Sequence, residues 1–259
     1  MLRRLFNRTV NAFCRASLSG VKGRAMPDAV PVAMVPGLAC SPRLYAAQIP
    51  ALWQAVGPVM VANHTTASTL NGIAAAILAH APARFHLVGL SMGGYISFEV
   101  LRQAPERVVK LALLDTTSRA DLPEQTERRR KLIALAEEGR LTAINDALWP
   151  LLVHESRQGD AALRSTLDAM MVETGAQAFV RQQQAIISRP DARPFLPSVR
   201  AQTIVIVGDS DKITPPALNE EIAAGIAGAR LEAVRECGHL STLEQPDAVT
   251  KLLVGWLRH

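Results

Sequence analysis

A parallel α/β sheet is what this 259-residue sequence predicts. Three observations carry the prediction: short Val/Leu/Ile-rich runs that are mostly apolar on both faces, helical stretches alternating with them, and a glycine-flanked serine at a strand-to-helix corner. Strands buried between two layers of helix read as continuous apolar runs, because neither face meets water. With 49% hydrophobic residues the chain can bury a core of single-domain size.

In chain order, strands are expected at residues 29–35 (AVPVAMV), 58–62 (PVMVA), 85–90 (FHLVGL), 108–114 (VVKLALL), 203–208 (TIVIVG) and 229–234 (ARLEAV). Helices are expected at 44–56, 70–80, 92–104, 216–227 and 246–257, as right-handed crossovers and a closing element. In the last of these, Val249, Leu252, Leu253 and Trp256 follow the i, i+3, i+4, i+7 spacing of one helix face.

One interval breaks the alternation. Between Asp121 and Ser188 there is only helical pattern. Asp121 with Glu124 fits a capping box, the helix it opens can end at Gly139, and further helices are expected at 141–149, 160–173 and 176–188. The stretch RPDARPFLPSVRA that follows contains three prolines and reads as a return linker. The fold class is therefore α/β, a mostly parallel sheet of about six or more strands with flanking helices, and a helical lid inserted ahead of the fifth strand. The corresponding division is a core of 26–120 and 196–259, a lid of 121–195, and a basic extension of 1–25.

That extension holds Arg3, Arg4, Arg8, Arg15, Lys22 and Arg24 with no acid, a charge of +6 against +5 overall, so the rest of the chain carries −1. A body this close to neutral argues against nucleic-acid binding. Residues 1–25 read as a tail, an upstream start ahead of Met26, or an organelle transit peptide. No run approaches the ~20 apolar residues that span a bilayer, so a cytoplasmic protein without membrane partners is the expectation, with an organellar location as the alternative. Cys14, Cys40 and Cys237 lie far apart with no CxxC pair, which suggests neither a disulfide framework nor a zinc site.

The corner is GLSMG, residues 89–93, which fits G-x-S-x-G after a strand and before a helix. Such a turn strains the serine backbone, projects Oγ out of the sheet, and sets the amide of Met92 at a helix N-terminus, where an oxyanion is favoured. A serine hydroxyl needs a base, itself oriented by an acid. His239, in CGHLSTLEQP after the last strand, lies at the sheet edge where Ser91 emerges; His64 and His154 are rivals, and His80, His86 and His259 are more easily structural. Asp209 and Asp211, in VGDSDKITPP after the fifth strand, and Asp115, ending LALLD, are candidate acids.

The elbow GLSMGG, the loop GDSDKITPP and the loop GHLSTLEQP, in this order and spacing, resemble the α/β-hydrolase superfamily across residues 29–258. The resemblance implies Ser91 as nucleophile, Asp211 as acid and His239 as base, with an oxyanion hole from the backbone N–H groups of Leu38, in VPGLAC, and Met92. Many members carry His-Gly where this chain has Pro36-Gly37, a change in loop detail around donors that are backbone groups.

What the resemblance implies further is an acyl-enzyme on Ser91, no metal or organic cofactor, and a small-molecule ester or lactone as substrate, by similarity to carboxylesterases and enol-lactonases. Carbon-carbon bond hydrolysis, thioester hydrolysis and cofactor-free haloperoxidase activity use the same three residues. A ligand sensor acting through its lid is the alternative from another class. Trp149, Met170, Met171 and Phe179 are the expected pocket residues, and the 4% aromatic content suggests largely aliphatic walls.

Overall fold

The computed structural model describes residues 29–258, and the expectations for the basic segment 1–25 concern residues outside that range. Six strands, β1 (Val32–Val35), β2 (Val59–Val61), β3 (Phe85–Leu90), β4 (Val108–Leu114), β5 (Gln202–Gly208) and β6 (Arg230–Val234), form one sheet in the order β2-β1-β3-β4-β5-β6. Every pairing is parallel. All six strands fall within the expected runs to one residue at either end, except that β1 starts three residues later than expected.

Side chains alternate across a strand, and here the alternation sorts them into two cores. Phe85 and Leu87 of β3 and Leu111 and Leu113 of β4 face one side, against α2 (Leu70–His80), α3 (Met92–Gln103) and α8 (Pro216–Gly225) through Ile73, Ile96 and Ile222. Val88, Leu90, Ala112 and Leu114 face the other, against α1 (Gln48–Ala55) and α10 (Pro246–Arg258) through Leu52, Val249 and Leu253. The expected helix at 44–56 is split: a 3-10 turn at Pro42–Tyr45 precedes α1.

Between β4 and β5 stand four helices, α4 (Pro123–Glu137), α5 (Leu141–Leu152), α6 (Ala161–Thr174) and α7 (Ala176–Ile187). The first ends before Gly139, whose φ of 73° is the left-handed conformation that glycine adopts at a helix end. These helices share a small core of their own, with Leu132, Ile144, Met171 and Phe179 buried together.

Asp121 does not cap the first helix. The N-cap position falls on Leu122, whose N–H donates to the Gln125 side chain, and Asp121 is occupied elsewhere. Its carboxylate, 1% exposed, lies 3.1 Å from Arg129 Nε and 2.7 Å from Arg189 Nη1. Two cations outcompete a single backbone N–H for a buried carboxylate. The result ties the entrance of the insertion to its exit.

Candidate active site

At the end of β3 the chain reverses at Ser91, with φ 56° and ψ −113°, a region costly for any residue with a Cβ. The flanking glycines make it possible. A Cβ on Gly89 would lie 2.4 Å from the Gly93 carbonyl oxygen, and one on Gly93 would lie 2.0 Å from the Val35 carbonyl oxygen. The Ser91 N–H donates to Leu114 O at 2.9 Å, pinning the corner to β4, and the Thr116 hydroxyl donates to Ser91 O at 2.8 Å.

Register gathers the rest of the site. Val35 pairs with Gly89, Leu90 with Leu114, and Leu114 with Ile206, so the loops leaving these strands share the carboxyl edge of the sheet. Ser91, Asp211 and His239 meet there, although 148 residues separate the first from the last. Ser91 Oγ lies 2.8 Å from His239 Nε2, and His239 Nδ1 lies 2.8 Å from Asp211 Oδ2. All three residues are buried. His154, on the loop after α5, pairs its Nδ1 with Ser156 instead.

Electrostatics fit this relay. Burial alone would lower the His239 pKa, but the charge of Asp211 and its hydrogen bond outweigh burial and hold the imidazole above its ordinary value. Burial pulls Asp211 the other way, and the His239 charge, with hydrogen bonds from His239 and Thr214, keeps it below the usual carboxylate range. Asp211 Oδ1 accepts the N–H groups of Ile213 (2.8 Å) and Thr214 (2.9 Å), while the Thr214 hydroxyl donates to Oδ2 at 2.7 Å.

The other two acid candidates hold loops. Asp209 accepts the N–H groups of Glu236 and Cys237 at 3.2 and 3.3 Å, bracing the turn that carries the histidine. Asp115, fully buried, accepts the Gly208 N–H at 2.9 Å and the Ser241 hydroxyl. Burial first, then the charge of Asp211, pushes its pKa up to about 8.

Two supports were not legible beforehand. Glu244, in the short helix α9 (Ser241–Glu244), accepts the N–H groups of Gly238 and Leu240 through Oε1 and of His154 through Oε2. His64, on the loop after β2, places Nε2 2.9 Å from Gly37 O. A carbonyl only accepts, so Nε2 carries the proton. Burial holds the His64 pKa down to about 4, keeping the ring neutral at pH 7.

A cavity opens over Ser91 and His239, lined by Leu38 from the loop after β1 and by side chains of the helical insertion. The first-turn amide of Met92 has no acceptor within its own helix. Of the expected pocket residues, Met171 lines the cavity, together with Leu132, Leu148 and Leu167. Trp149 and Met170 pack instead into the core that α1 and α10 share with one sheet face, Trp149 Nε1 donating to Gln158 O, and Phe179 is enclosed in the core of the insertion. Trp149, Met170 and Phe179 are taken up by core packing, and Met171 with those three leucines faces the opening. Cys40, also on the cavity wall, is kept as an unreactive thiol, since burial pushes it up to about 12.

Among the described residues no cluster of His, Cys, Asp and Glu has the arrangement of a metal site, and no helix is long and apolar enough to cross a membrane.

A thermophilic esterase from Thermogutta terrifontis, solved with malate bound, superposes with a TM-score of 0.81 at 28% identity, over 88% of this chain and 89% of that one. The enol-lactonase from Burkholderia xenovorans LB400 superposes at 0.80 over 92% and 94%, and at 24% identity its likeness is one of fold. The 2-hydroxy-6-oxononadienedioate/2-hydroxy-6-oxononatrienedioate hydrolase of Escherichia coli K12 is 31% identical over 180 residues, 68% of this chain and 62% of that protein's length. The sequence profile of the alpha/beta hydrolase family matches residues 32–252, and the chain belongs to that family.

Proposed function

We propose that this protein is a serine hydrolase that cleaves a carboxylic ester or lactone through an acyl-enzyme on Ser91. The observation that carries the reading is the 2.8 Å Oγ to Nε2 contact, continued at 2.8 Å from Nδ1 to Asp211, at a strained corner facing a cavity. His239 takes the Ser91 proton as Oγ attacks the carbonyl carbon, and Asp211 holds the tautomer and stabilises the imidazolium. The oxyanion rests on the N–H groups of Leu38 and Met92. His239 then protonates the leaving alkoxide, water attacks the acyl carbon with its proton passing to His239, and the acid is released. Helices α4 to α7, within residues 121–195, act as the lid, and the expected substrates are small molecules.

The Thermogutta esterase, at 28% identity, supports the ester reading. A second reading, hydrolysis of a carbon-carbon bond, is favoured by the E. coli relative, whose name gives an oxo-dienedioate as what it hydrolyses. An organophosphonate should label Ser91 stoichiometrically, and a panel of simple esters and lactones should be turned over. Label on another serine refutes both readings, and protein labelled at Ser91 that turns over no ester or lactone refutes the first in favour of the second.

A further inference from the structure

The cavity over Ser91 is mostly aliphatic, yet Arg128 and Arg129 of α4 line it and no Asp or Glu does. Arg129 shares Asp121 with Arg189, so that trio of charges still carries a net positive charge. Arg128 is exposed and makes no ion pair or hydrogen bond to any described residue. Between them and the core stands Gln183 of α7, fully buried and also on the cavity wall. Arg129 Nη1 donates to Gln183 Oε1 at 3.0 Å. An arginine can only donate, which fixes the amide with its oxygen toward Arg129. Gln183 Nε2 is left with no partner.

A buried donor without an acceptor costs free energy comparable to a lost hydrogen bond. A ligand that supplies an acceptor recovers that cost, and one that supplies a negative charge also satisfies the two guanidinium groups. Asn145, the remaining amide on the wall, is held by Asp168 at 2.8 Å and contributes no competing charge. The polarity of the cavity is thus divided: the serine, histidine and oxyanion amides at the sheet edge, and cationic and donor groups on the insertion.

We propose that the cavity selects esters or lactones that carry a carboxylate remote from the scissile carbonyl, received by Arg128, Arg129 and the amide of Gln183. This rests on the reading of Ser91 as the nucleophile of an ester or lactone hydrolase. The apolar side chains between the two polar ends, Leu132, Leu148 and Met171 among them, suit a hydrocarbon spacer.

The test compares monoethyl succinate, glutarate and adipate with the ethyl esters of butyrate, pentanoate and hexanoate, following ethanol release. At low salt the best half-ester should exceed its neutral counterpart in kcat/KM by about tenfold to a hundredfold, the range of a charged hydrogen-bonded contact. The ratio should shrink as ionic strength rises. Arg128→Gln should lower it severalfold. Gln183→Glu, which turns the free donor into a carboxylate facing Arg129, should abolish or invert it.

Arg129 is braced by Asp121, and its replacement risks the fold, so these two variants carry the test. A wild-type preference for the neutral series, or a ratio unchanged in both variants, overturns the proposal while leaving the esterase reading intact. If no ester is turned over, the esterase reading fails by itself. The subsite is then read by the thermal shift that glutarate produces in wild type and in Gln183→Glu: a shift lost in the variant supports it, and no shift in wild type overturns it.

Discussion

Replacing His64 with leucine perturbs the site without touching Ser91, His239 or Asp211. His64 Nε2–H donates to Gly37 O at 2.9 Å, and in a planar trans peptide that carbonyl points opposite to the N–H of the same unit, which belongs to Leu38. Holding the carbonyl toward His64 therefore holds the Leu38 N–H toward the cavity that Leu38 lines. Gly37 O also accepts the Cys40 N–H at 3.2 Å, so leucine would not leave it orphaned. The stability loss should stay near the ~1 kcal/mol of one net hydrogen bond.

The kinetic loss should be larger. An oxyanion donor is worth about 10²- to 10³-fold in kcat, and a peptide plane left with one of its two anchors should forfeit part of that, about tenfold to a hundredfold. His64→Gln, which can present an amide N–H at comparable reach, should recover most of it. Steady-state kinetics on a short ester, with thermal unfolding measured alongside, reads both quantities. A folded His64→Leu protein with wild-type kcat would refute the reasoning, and a rise in KM alone would point to the pocket rather than to the oxyanion site.

Asp211→Asn should preserve the fold and lower turnover by up to about 10⁴-fold, since the required tautomer and the charge opposite the imidazolium are both lost. Asp209→Asn should act chiefly on thermal stability, because its carboxylate braces the Glu236 and Cys237 amides; full activity in folded Asp211→Asn would transfer the acid role elsewhere. The rate should also depend on pH with a definite sign. His239 accepts the serine proton only when neutral, and its pKa is held above the ordinary 6.5, so activity should fall as pH drops through a midpoint above 6.5. A midpoint at or below 6.5 in kcat/KM would contradict that electrostatic account.

The strands were legible because most of the six runs of β length are apolar on both faces, a pattern that burial between two helical layers rewards, as in β1, β3, β4 and β5. The meeting of Ser91 and His239 was legible because both sit on turns that leave the carboxyl ends of strands in one parallel sheet. The walls of the cavity were not, and the reason is helical phase. Leu148 faces the opening while Trp149, one residue and about 100° further round, packs into the core; Met171 faces it while Met170 does not. Which side of an inserted helix looks inward is decided by the neighbours it docks on, and residue size alone favoured the wrong side. His64 and Glu244 escaped for a related reason: each works through backbone groups far from it in sequence or in a different loop, and no local spacing marks such a contact.

The pairing of Asp121 with Arg129 and Arg189 bears on how such a protein can diverge. Arg189 lies 68 residues beyond Asp121, yet their side chains meet at 2.7 Å, so the inserted helices leave and rejoin the sheet through one narrow neck. β4 and β5, which flank the insertion in sequence, are hydrogen-bonded neighbours whose register does not depend on what is threaded between them. Loop-closure entropy grows only slowly with length, about 0.6 kcal/mol per doubling. Helices within that neck can therefore be exchanged, lengthened or shortened at small thermodynamic cost while Ser91, His239 and Asp211 stay in place. The specificity of the cavity is free to evolve as a cassette, separately from the chemistry beneath it.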